Sequence, residues 1–146
     1  MTKKIIFLLT TTFICASLSS VYSDTKGLWI NGNKFTVQIQ TKYKMMIGIY
    51  KTPTLDHGST KKTARQLAEK QVIDDWANII VESSEKKITK KDALKIIVKN
   101  EYLTGAIKGG SVIAEKWDAD KKIYTMTYSA EGNNLRKIVE EAWKKD

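Results

Sequence analysis

The stretch Thr60–Ser84, TKKTARQLAEKQVIDDWANIIVESS, decides the fold. Ala64, Leu67, Ala68, Val72, Trp76, Ile79 and Ile80 recur at three- and four-residue steps, the spacing that lines one side of a helix. Lys61, Lys62, Arg65, Glu69, Lys70, Asp74 and Asp75 fall on the other side, several of them at ion-pair spacing. The pattern predicts an amphipathic helix of about six turns. Its apolar stripe has to be covered by another element.

Upstream, two β-prone runs from Leu28 to Ile39 flank Asn31-Gly32, the dipeptide that favours a tight hairpin. A further extended segment, Lys44–Lys51, places Met45, Ile47 and Ile49 on one face and Met46, Gly48 and Tyr50 on the other. With both faces apolar, the segment reads as a central strand. Thr52–Ser59, with Pro53, Gly58 and His57, reads as the loop that separates strand from helix.

Downstream, Thr89 and Asp92 have the spacing of a capping box. They predict a helix from Lys90 to about Thr104, with Leu94, Ile97, Val98 and Tyr102 as its stripe and Gly105 as a stop. Ser111–Trp117 and Ile123–Tyr128 are strand-like and joined by the turn-forming Asp118–Lys122, a second hairpin. Gly132-Asn133-Asn134 then introduces a final helix carrying Leu135, Ile138, Val139, Ala142 and Trp143. No linker, repeat or low-complexity run interrupts this order. The expectation is one α+β domain over residues 24–146, in two layers: an antiparallel sheet with a long amphipathic helix and two shorter helices on one face.

Residues 1–23 are set apart. Lys3-Lys4 precedes an apolar run from Ile5 to about Leu18, which is short for a membrane span and has the form of a secretory signal. Val21 and Ser23 place the cut after Ser23; an uncleaved N-terminal anchor is the alternative. Cys15 lies inside the apolar run behind the bulky Phe13 and Ile14, which argues against lipidation at that cysteine. The expected location is the periplasm or the exterior. Beyond residue 23 the chain has no cysteine, so stability has to come from a hydrophobic core and not from disulfides.

The whole chain carries 25 Lys+Arg against 16 Asp+Glu, and losing Lys3 and Lys4 leaves a net charge of plus seven. That balance suits anionic surfaces such as lipid headgroups or cell-wall polymers, or simply a soluble lysine-rich exterior.

Catalytic chemistry finds little support. With one histidine and no thiol after residue 23, neither a nucleophile–base pair nor a zinc site can be assembled from the familiar parts. His57 is expected exposed in its loop. Asp74 and Asp75 are adjacent on a helix and point about 100 degrees apart, so they cannot flank one substrate. Asp118 and Asp120 lack the further ligands of a calcium loop. Gly109-Gly110 precedes a strand, unlike a phosphate loop. Tyr124 and Tyr128 alternate like a base-stacking platform, but the same spacing serves a core face, the preferred reading. No catalytic, cofactor-binding or metal residue is assigned, no small-molecule substrate is expected, and nucleic acid is disfavoured.

Ile47-Gly48-Ile49, the helix with Ala64-Arg65, Ala68 and Ala77, and the run Gly110-Ser111-Val112-Ile113-Ala114-Glu115-Lys116-Trp117-Asp118 followed by Tyr124 together resemble the Lpp-twenty family of bacterial envelope lipoproteins. The related flagellar proteins FlgP and FlgT, the latter in its N-terminal domain, share the pattern. The resemblance spans about Met45–Ala142 and is sharpest over Val112–Asp118. It implies a non-enzymatic, oligomer-forming envelope component with a long helix lying on an antiparallel sheet. The family's lipid anchor is not implied, because Cys15 lacks the required box.

The function expected is a structural or self-associating interaction module of the envelope, a homo-oligomer using apolar surface such as Trp29, Trp143 or the outer face of the second helix. Other envelope proteins, an anionic membrane or the cell wall are further candidate partners. The alternative is a secreted effector or toxin-like protein that binds anionic membrane or nucleic acid through its lysines.

Overall fold

The computed structural model describes residues 26–145; the signal segment, Cys15 and the cleavage position lie outside them. The helix around Trp76, α1, runs His57–Ser83. It starts earlier than its apolar periodicity because Asp56 caps it, accepting from the Ser59 backbone N–H at 3.0 Å and the Ser59 hydroxyl at 2.8 Å. His57 is therefore the first helical residue, exposed as expected but not in a loop.

The stripe of α1 lies across a four-stranded antiparallel sheet. Its strands are β1 (Leu28–Ile30), β2 (Lys34–Lys42), β5 (Ser111–Asp118) and β6 (Ile123–Glu131), in the order β1-β2-β6-β5. β2 alternates cleanly: Phe35, Val37 and Ile39 are buried under the helix while Gln38 and Gln40 face solvent. β6, paired on both sides, buries Tyr124, Met126, Tyr128 and Ala130, so the two tyrosines are core residues. At the first turn Asn31 and Gly32 both have positive φ, as the Asn-Gly pair foretells.

The remaining helices extend this layer. α2 (Lys90–Lys99) packs on α1, α3 (Glu101–Lys108) packs on β6 and α2, and α4 (Leu135–Glu140) packs on α1 and β2. The capping box forms, with Thr89 Oγ1 accepting from Asp92 N at 3.2 Å and Asp92 returning the bond to Thr89 N at 3.1 Å. The helix expected to run on to Thr104 is broken at Asn100. That residue closes α2 and then caps α3 by accepting from Leu103 N at 3.1 Å. Gly105 lies inside α3 and does not end it.

Three further expectations are corrected. The Lys44–Lys51 segment is no central strand: only Met45–Ile47 (β3) is extended, and it pairs solely with Pro53–Leu55 (β4) in a separate two-stranded hairpin. Proline cannot donate to a ladder, so the strand that begins at Pro53 suits an edge and no sheet interior. Asp75 is not on a solvated face. It is buried, accepting from Gly27 N at 2.8 Å and from Gln71 Nε2 at 2.9 Å, which ties the start of β1 to α1. Trp29 is no free apolar surface, since it stacks on Trp76 with ring centroids 6.3 Å apart and planes 3° from parallel.

Candidate functional site

The residues the core leaves out are concentrated in the β3–β4 hairpin. Met45, Met46, Ile47, Ile49 and Tyr50 are all exposed, Ile49 at 96% and Tyr50 at 92%. A large apolar side chain in water forgoes roughly 1.5–3 kcal/mol of burial. Single cases are ordinary on protein surfaces, but five within six residues form a contiguous exposed apolar stretch, which makes it the candidate site.

The foot of the hairpin is tied firmly to the domain. Lys44 N donates to the buried Thr60 Oγ1 at 2.9 Å, Asp56 N donates to Lys44 O at 2.8 Å, and Thr60 Oγ1 donates to Asp56 O at 2.7 Å. The same Asp56 that caps α1 thus closes the hairpin. At the far end Lys51 takes a positive φ and its N–H donates to Gly48 O at 3.0 Å, folding Ile49 and Tyr50 into an outward turn.

Beside the foot lies an aromatic cluster. Trp117 meets Tyr124 at 4.3 Å between centroids, His57 at 4.8 Å and Tyr43 at 5.5 Å. Tyr124 donates its hydroxyl to Glu115 at 2.7 Å, and Lys61 reaches the same carboxylate at 3.3 Å. The phenol and, behind it, the ammonium hold the Glu115 carboxyl below its ordinary value against an opposing effect of burial, while burial and the carboxylate push the Tyr124 hydroxyl well up. This group of residues anchors one strand to another, with the carboxylate engaged twice.

The lowered carboxyl value has a testable sign. A group whose folded value lies below its unfolded one stabilises the fold above the unfolded value and loses that contribution as pH falls through the folded value. Glu115→Gln is expected to lower the thermal midpoint near neutrality. The gap to the parent should narrow as pH falls through the depressed value of Glu115, as followed by circular dichroism; an unchanged gap would separate Glu115 from the acid limb.

Arg65 forms a second staple. Its Nη2 donates to Lys108 O at 2.9 Å and Gly110 O at 3.1 Å, its Nε donates to Glu69 at 3.2 Å, and its guanidinium lies 5.4 Å from the centre of the Tyr128 ring. It fastens the α3–β5 junction to α1. A cleft of about 290 Å³ opens between β1, α1 and α4 beside Trp29, Phe35, Ile79 and Arg136, and the one deeply buried acid there, Asp75, is already bonded to Gly27 and Gln71. Among the described residues no group of three or more His, Cys, Asp or Glu side chains is placed to hold a metal ion, and no helix is long and apolar enough to cross a membrane.

The positions singled out in sequence disperse accordingly. Asp74 pairs with Lys90 at 3.7 Å while Asp75 bonds Gly27 and Gln71, although both acids line one open cleft with Lys26 and Lys70, and Asp118 accepts from Lys121 N at 2.9 Å as a turn residue. Trp143 is half-buried against the core with Lys144 Nζ 5.8 Å from its ring centre. Val98 and Tyr102, expected in the packing stripe of the second helix, are exposed instead, Val98 bordered by Lys91, Lys95 and Lys99. What sequence reasoning missed is the hairpin tip, and Gly48 together with Lys51-Thr52-Pro53 was the turn signal within reach. No family model, curated protein or solved structure matches the chain.

Proposed function

We propose that this chain is a non-enzymatic, exported interaction module of the bacterial envelope, periplasmic or secreted, which works by pressing the β3–β4 hairpin against an anionic partner. One observation carries the reading: an apolar tip stands clear of the core, flanked along the chain by three exposed lysines, Lys42, Lys44 and Lys51. Such a surface gains from burying apolar area and from neutralising its cations at the same contact. The resemblance of Ile47-Gly48-Ile49 and the Val112–Asp118 strand to envelope lipoproteins points the same way.

The test is retention on an immobilised polyanion such as heparin. Lys44→Gln with Lys51→Gln is expected to elute at lower salt than Lys86→Gln with Lys87→Gln, a pair that removes the same charge from an exposed loop. Equal elution of the two variants would mean that net charge alone binds, and would contradict a dedicated hairpin surface.

Self-association is the second reading, favoured by the outer edge of β5, where Val112 and Ile113 are exposed. A bulge between Val112 and Ala114 and the exposed Lys116 blunt that edge. Light scattering on the chain without residues 1–23, at low and high salt, decides it: a mass above the monomer that persists in salt supports the edge contact, and a strict monomer removes it.

A further inference from the structure

We infer that the hairpin tip, Ile47–Lys51, is a wedge for an anionic lipid surface. The inference rests on the interaction-module reading and names its partner.

The chemistry of the tip selects lipid. Ile47, Ile49 and Tyr50 are exposed at 73%, 96% and 92%, and they are followed at once by Lys51 and preceded by Lys42 and Lys44, all exposed. An element of this kind binds an interface by sinking apolar side chains to the acyl boundary while cations remain among the headgroups. Tyrosine suits that depth, with an apolar ring and a polar tip. Met45 and Met46 behind it are pliable side chains that adapt to a fluid surface.

Charge argues against the most obvious competitor, a second copy of the same hairpin. Tip-to-tip pairing would bring Lys42, Lys44 and Lys51 against their own equivalents, with no carboxylate in the whole stretch Lys26–Leu55 to separate them. The next acid along the chain, Asp56, is engaged in capping α1. An anionic bilayer supplies both the counter-charge and the apolar phase. The hairpin foot, bonded through Lys44, Asp56 and Thr60, holds the tip clear of the domain, and so polar substitutions at the tip leave the core intact.

The experiment is co-sedimentation with phosphatidylcholine vesicles, with and without phosphatidylglycerol, using the chain that lacks residues 1–23. The parent is expected to bind only the anionic vesicles. Ile49→Ser with Tyr50→Ser should weaken binding about tenfold or more, with an unchanged thermal midpoint and unchanged polyanion elution. Lys44→Gln with Lys51→Gln should lose roughly fivefold per lysine. Anionic-vesicle binding by the serine variant equal to the parent would overturn the wedge. Polyanion retention that depends on the hairpin, without vesicle binding, would overturn the lipid assignment and leave the interaction module standing. Failure of both assays would overturn both.

Discussion

Trp76→Ala is expected to cost about 3–5 kcal/mol of folding stability, a fall in the thermal midpoint on the order of 15 °C for a domain of this size. Trp76 is fully buried in the C-terminal half of α1. Trp29 stacks on one side of it, and Phe35 meets it edge-on with centroids 5.9 Å apart, so one indole joins β1, β2 and the helix. Alanine would leave a cavity that three separate elements would have to collapse into, and close-packed interiors relax only in part. Among the described residues its Nε1 is the one buried side-chain nitrogen or oxygen without a hydrogen-bond partner. Trp76→Phe, which drops that donor and keeps most of the ring, should therefore retain much of the stability lost with alanine. Urea denaturation of the three proteins measures this ordering, and equal stability of the alanine variant and the parent would remove Trp76 from the centre of the fold.

Gly110→Ala is expected to cost about 3 kcal/mol through overpacking and a lost hydrogen bond. A Cβ on Gly110 would run into the Tyr128 hydroxyl and lie 2.7 Å from the carbonyl oxygen of Ser129. The tyrosine cannot swing away freely, because its hydroxyl donates to Ile107 O and its ring lies under Arg65. Moving it would strand a buried hydroxyl and loosen the α3–β5 junction. Tyr128→Phe added to Gly110→Ala should recover only part of the loss, since the ring carbon Cζ, 2.5 Å from the added Cβ, and the Ser129 carbonyl of β6 both remain. Full recovery in thermal denaturation would show that the clash is with the hydroxyl alone.

How far the sequence could be read follows from the same physics. Ala64, Ala68, Val72, Trp76 and Ile80 had to face a sheet, and they do, because a long stripe at helical spacing has no other stable use. Thr89 with Asp92, Asn31-Gly32 and the strands around Asp118 were legible because short-range bonds fix them. Asp75 was misjudged because its partner, Gly27, lies 48 residues away and periodicity carries no long-range information. The break at Asn100 was hidden by an apolar pattern that continues across it, with Ile97 and Leu103 both buried.

The hairpin was hidden for a sharper reason. Apolarity on both faces describes a strand buried on two sides and equally an exposed hairpin, and within Met45–Tyr50 only Gly48 hints at the turn. Lys51-Thr52-Pro53 completes that signal. The candidate site reads as core because this exposed apolar hairpin has the composition of a packed interior.

The most direct measurement is the surroundings of the tip itself on a membrane. The chain after residue 23 contains no cysteine, and a side chain at Gly48 would meet nothing within 4 Å, so Gly48→Cys accepts an environment-sensitive fluorophore without disturbing the fold. Its emission is expected to shift to the blue and brighten on vesicles that contain phosphatidylglycerol, and to stay aqueous with phosphatidylcholine alone. Emission that remains aqueous while the protein co-sediments with anionic vesicles would contradict the account.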